Sequence, residues 1–80
     1  MPHISVKMLK GRTDDQKQKL VNELKNTLKD VLGVSDASIS VSIQDYTAQE
    51  WQDQFKAEIT DNMQNLWIKP QYDPKDLLKK

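Results

Sequence analysis

Positions 2–9 alternate in character. Pro2, Ile4, Val6 and Met8 fall on one parity and His3, Ser5, Lys7 and Leu9 on the other, which is the period-2 pattern of a half-buried strand. Gly11 breaks it. Thr13-Asp14-Asp15-Gln16 then reads as a capping box, in which the Thr13 hydroxyl and the Gln16 side chain satisfy N–H groups left free by a first helical turn. The two acids in that turn suit the positive end of the helix dipole. Beyond them Leu20, Val21, Leu24, Leu28, Val31 and Leu32 recur at helical spacing as one apolar stripe, and Gly33 supplies a stop. The spacing predicts a helix over residues 14–32, roughly 28 Å long at ~1.5 Å per residue. That is enough to run back along a short strand and restart beside it.

The restart is Ser38-Ile39-Ser40-Val41-Ser42-Ile43-Gln44, with Ile39, Val41 and Ile43 facing one way and the polar residues the other. Strand, helix, strand predicts a βαβ unit, parallel and right-handed. A second capping box, Thr47-Ala48-Gln49-Glu50, opens a further helix. Trp51, Phe55, Ile59, Met63, Leu66 and Trp67 carry it over residues 48–67 until Lys69-Pro70 ends it. Residues 68–80 read as a tail with one turn at Asp73-Pro74. No repeat or second domain interrupts residues 1–80, so the prediction is a single α/β (α+β) domain with a β-α-β-α protomer. Two strands make a marginal sheet with open edges. Two protomers pairing into one four-stranded sheet would repair both faults, so a homodimer or larger assembly is expected.

Composition points the same way. Eighty residues bury only about 60–65% of the unfolded surface, and the chain has no cysteine to cross-link or bind zinc. His3 is its only histidine, and no cluster of metal-spaced ligands accompanies it, so neither a metal nor another cofactor is expected. Oligomerisation is the remaining route to stability. Lys+Arg and Asp+Glu number 12 each, which argues against a protein held to nucleic acid by phosphate contacts. No apolar run approaches the ~20 residues of a membrane span, and Met1-Pro2-His3-Ile4 lacks the basic and apolar parts of a secretory signal. A cytoplasmic protein is expected.

The usual catalytic sets are missing: no Cys–His or Ser–His–Asp group, no glycine-rich phosphate loop, no metal constellation. The exception is position 2. Loss of Met1 before a small residue such as proline would leave a secondary amine at the terminus. Terminal amines titrate near ~7.7–8.0, and burial or a nearby cation favours their neutral form. A neutral amine fixed at the edge of a sheet can serve as a general base. Read alone, Pro2 is more simply a tolerated residue at a strand start.

Pro2 opening a strand, Leu9-Lys10-Gly11-Arg12-Thr13-Asp14-Asp15-Gln16-Lys17 and Ser38-Ile39-Ser40-Val41 together resemble the 4-oxalocrotonate tautomerase family of proline-based tautomerases. The resemblance covers roughly the first 50 residues without a gap. Glu50-Trp51-Gln52, Ala57-Glu58-Ile59 and Lys69-Pro70 resemble its longer-chained, PptA-like dimeric branch. The resemblance implies that Pro2 moves a proton between two atoms of an enol or α-keto acid. It implies that Arg12 grips the substrate carboxylate, as a two-pronged guanidinium can, and that Trp51 walls the site. The family's second substrate-binding arginine corresponds here to Ser40, which can donate a hydrogen bond but carries no charge. A monoacid or a phenylpyruvate-like substrate therefore fits better than a dicarboxylate.

Each of these residues has a plainer reading beside that one. Arg12 is also a solvated loop residue ahead of a helix, and Trp51 is also the first core anchor of the second helix. His3 could assist proton transfer, but alternation points it to the face opposite the Pro2 ring. Two other functions stay open: hydratase or dehalogenase chemistry of the same superfamily, and a dimeric binding protein that keeps the fold without catalysis.

Overall fold

The computed structural model describes residues 1–79. Strand β1 is His3–Leu9, helix α1 is Asp14–Leu32, strand β2 is Ser40–Tyr46 and helix α2 is Ala48–Glu58. β1 and β2 form a two-stranded sheet. The Ser40 N–H donates to the Pro2 carbonyl at one end, over 3.3 Å, and the Lys10 N–H to the Tyr46 carbonyl at the other, over 2.8 Å. The strands therefore run parallel in constant register, His3 opposite Ser40 and Leu9 opposite Tyr46. Side chains alternate between the sheet's faces, so His3, Ser5, Ser40 and Ser42 share one face. The β-α-β-α order is the expected one.

The chain divides into two compact units, one of residues 1–6 and 11–44, the other of residues 7–10 and from 45 onward. In the first, α1 starts as its capping box dictates. Thr13 is extended at φ −76° and ψ 162°, its hydroxyl accepts from the Gln16 N–H over 3.1 Å, and its own N–H donates to Gln16 Oε1 over 2.9 Å. The helix ends at Gly33, whose φ of +67° few other residues would adopt. Lys29 and Lys25 then hold Asp36 at 2.9 and 3.7 Å, and Lys29 foremost keeps that carboxyl below its ordinary range.

β2 begins two residues later than the alternation implies. Ser38 lies instead in a 3-10 turn, Asp36–Ser38, because its N–H and its hydroxyl both donate to the Ser35 carbonyl, at 3.1 and 2.7 Å. Its donors are spent locally, so the ladder starts at Ser40.

In the second unit α2 opens on its own capping box. The Glu50 N–H donates to Thr47 Oγ1 over 3.1 Å, and the Thr47 N–H to Glu50 Oε1 over 2.8 Å. That bond foremost lowers the Glu50 pKa. Lys7, on β1, reaches Gln54 at 2.9 Å and Glu58 at 2.7 Å.

The expected helix over 48–67 is shorter: α2 stops at Glu58 and a kinked 3-10 segment, Thr60–Asn65, follows. Asn62 is the cause. Its side-chain Nδ2 takes the Glu58 carbonyl at 3.1 Å, the acceptor its own N–H would use in an α-helix, and that N–H turns to Ile59 instead. Trp67 and Ile68 leave the helical stripe and stand 99% and 90% exposed.

The chain then returns to α2. Gln52 Nε2 donates to the Pro74 carbonyl over 2.8 Å, and Tyr72 packs edge-on against Phe55 with ring centres 5.6 Å apart. The turn at Asp73-Pro74 is a 3-10 segment, Pro74–Leu78, capped by the Asp73 side chain. None of the described residues is fully buried. Among them no helix is long and apolar enough to cross a membrane, and no three metal-ligating side chains cluster.

Candidate active site

The first ladder bond fixes Pro2. Its carbonyl accepts from Ser40, and its ring is half-buried. Proline has no N–H to give to a neighbouring strand, so pairing begins at the carbonyl and the nitrogen stays uncommitted. Met1 precedes it and is fully exposed, and while Met1 is present that nitrogen is an amide.

Ser40 is tied to this corner twice. Its backbone bonds to Pro2, and its Oγ lies 2.6 Å from His3 Nδ1. Alternation does direct His3 away from the Pro2 ring, but the register places Ser40 on the His3 face. Alternation was the ground for setting His3 aside, and its partner, 37 residues away, lies beyond any local pattern. The signal was the strand register, which fixes opposite residues once one pair is known.

Arg12 belongs to the same unit. Gly11, at φ +125°, makes the turn out of β1 that a side chain would strain, and the Thr13 cap anchors the other flank. Arg12 is exposed, and among the described residues its guanidinium has no hydrogen-bond or ion-pair partner. It is an exposed cation between a positive-φ glycine and a helix cap.

Trp51 belongs to the second unit, in the first turn of α2. Its ring is half-buried, tilted 56° against Tyr46 at 6.2 Å, and its Nε1–H donates to the Tyr72 hydroxyl over 2.9 Å. Its role as a local packing anchor is thus plain. Pro2, His3 and Ser40 are brought into contact, then, while Arg12 shares their unit and Trp51 does not. Tyr72, which holds the indole tip, was not marked by any sequence pattern.

A family model described as tautomerase enzyme matches residues 2–63. The chain belongs to the tautomerase family. Tautomerisation moves a proton and a double bond within one molecule, so the class of enzyme is isomerase. A relative from Xylella fastidiosa named as a tautomerase is 43% identical over 54 residues, 68% of this chain and 66% of its own length. Tautomerase PptA of Escherichia coli O127:H6 is 36% identical over 73 residues, covering 90% of this chain and 97% of its own. That match reaches past α2, as the resemblance of the later stretch implied. Among solved structures, YwhB, a homologue of 4-oxalocrotonate tautomerase, superposes with a TM-score of 0.59 at 39% identity, over 61% of this chain and 80% of that one. The likeness identifies the tautomerase fold.

Proposed function

We propose that this tautomerase-family chain interconverts the enol and keto forms of small α-keto acids, using the Pro2 amine as its acid and base once Met1 is removed. The observation that carries the reading is the Pro2 corner: a strand-fixed carbonyl beside a nitrogen that no hydrogen bond of the sheet can use. Freed of Met1, that nitrogen is a secondary amine. It takes the proton of the enol hydroxyl as the carbonyl forms, and the resulting ammonium returns a proton to the far carbon of the former double bond. No net proton is consumed, and no oxidant or cofactor is called for.

Arg12 supplies the carboxylate grip in this reading, supported by its unpartnered guanidinium. Its charge also favours a neutral amine. Ser40 supplies an uncharged hydrogen bond where the resemblance calls for a second arginine, which favours a monoacid of phenylpyruvate type over a dicarboxylate. The role proposed for Trp51, an indole face for a flat enol, rests on its sequence position. A homodimer belongs to the same reading, supported by the two-stranded sheet and the lack of any fully buried side chain among the described residues.

The test compares two preparations whose termini are verified by mass, one starting at Pro2 and one keeping Met1. The decay of phenylpyruvate enol is followed with each. Blocking the amine should cost roughly 10²–10⁴-fold in rate. Equal activity in the Met1 form removes proline catalysis, and binding without turnover in the Pro2 form points to the non-catalytic protein.

A further inference from the structure

The resemblance leaves His3 without a task and gives Ser40 a place that a cation would fill. We propose that His3 and Ser40 act as one positioning pair, in which His3 Nδ1, 2.6 Å from Ser40 Oγ, decides whether that hydroxyl offers a proton or a lone pair to the substrate carboxylate. The inference rests on the tautomerase reading above and deepens it.

The geometry leaves the hydroxyl few choices. A serine hydroxyl has one proton to donate and lone pairs that accept. When Nδ1 carries a proton it donates to Oγ, and the serine proton is free for an anionic oxygen. An imidazolium adds its charge at the same place. When Nδ1 is bare, the serine proton is spent on it and Oγ turns lone pairs outward, which repel a carboxylate. Only the Nδ1-protonated pair accepts an anion, so it can do part of the work of the arginine that Ser40 replaces.

Ser40 is also pinned to Pro2 through its N–H, so the residue that carries this proton is bonded directly to the one proposed as the base. The other residues this face presents beside the pair, Ser5 and Ser42, do not titrate. Lys7, further along β1, is engaged by Gln54 and Glu58. Along the strand, the ionisable neighbour on the other side of His3 is the terminal amine itself. His3 is exposed.

The test uses protein with a verified Pro2 terminus. KM and kcat for phenylpyruvate enol are measured across pH for the wild type, His3→Ala, Ser40→Ala, the double variant and His3→Asn. Because His3 is the only histidine, its ring-nitrogen resonances report its titration without ambiguity. At pH below the measured His3 titration, each alanine variant should raise KM roughly tenfold or more, in line with a lost charged hydrogen bond, and the double variant should be no worse than either single one. The wild-type KM should climb along the measured His3 titration curve. His3→Asn, whose amide can still donate to Oγ, should recover much of the affinity without that pH dependence.

Additive losses, or a KM indifferent to the His3 titration, overturn the pair while leaving proline catalysis standing. If the protein shows no turnover at all, phenylacetate is the probe. Shifts of the His3 ring nitrogens in the wild type that vanish in Ser40→Ala support the pair, and shifts that persist unchanged overturn it.

Discussion

Trp51 and Tyr72 meet tip to tip, the indole Nε1–H donating to the tyrosine hydroxyl across 2.9 Å. With the Tyr72 ring set edge-on to Phe55 and Gln52 bonded to the Pro74 carbonyl, this contact fastens the last stretch of the described chain onto α2. Tyr72→Phe keeps the ring and removes only the hydroxyl. It should lower stability by about 0.5–1.5 kcal/mol, read as a shift in the urea unfolding midpoint. Tyr72→Ala should cost more, because the aromatic packing on Phe55 goes too.

Arg12 is a different case, because among the described residues its guanidinium holds nothing. Arg12→Ala should leave the thermal midpoint within error and raise KM for keto acids by about 1.5–3 kcal/mol of lost charged hydrogen bonding. Steady-state kinetics and a melting curve on the same sample decide it. Unchanged kinetics would make Arg12 a solvated loop residue.

Acid should weaken the α2 cap and the contact of Asp36 with Lys29. The Thr47 N–H keeps Glu50 below its ordinary pKa of 4.5, and Lys29 foremost keeps Asp36 below 3.8. A carboxyl whose folded pKa is lowered adds stability above its unfolded value and loses it as pH falls through the folded one. Both contributions therefore fade at pH values below these ordinary ones. The corresponding cap of α1 uses Gln16, which does not titrate. Glu50→Gln should flatten part of the acid dependence of the urea midpoint, and a midpoint equally acid-sensitive in that variant would count against the capping account.

The proposed dimer has a direct readout. Sedimentation should give about twice the 9.3 kDa of one chain, and a stable folded monomer at micromolar concentration would rule the dimer out. Trp67 and Ile68 are almost wholly exposed, so Trp67→Ser should raise the monomer fraction if that segment meets the second copy.

Much of this was legible in the sequence because its signals are local. Thr13 to Gln16 and Thr47 to Glu50 each close a box within four residues, and Gly33 ends α1 where a left-handed residue is needed. The failures came where a side chain competes with the backbone for a partner. Ser38 spends its donors on Ser35 and delays β2, and Asn62 captures the Glu58 carbonyl and cuts α2 short; neither event leaves a periodic trace. At the site, Pro2 could be singled out from the chemistry of an N-terminal amine. The His3–Ser40 contact required knowing which residues of two strands lie opposite each other, and Tyr72 lies beyond Pro70, where helical spacing has already ended.

The ladder bond from Ser40 to Pro2 has a kinetic consequence. Joining strands 37 residues apart carries a loop-closure cost of about 3 kcal/mol on the logarithmic scaling, whereas α1 can form from neighbours alone within about a microsecond. During synthesis nothing can hold the amino terminus until β2 has left the ribosome. The excision of Met1 that the proposed chemistry needs thus has its opening while the leading residues are loose. Closure of the sheet then pins residue 2 through its carbonyl, and because Met1 stays fully exposed the same excision remains open to the folded chain.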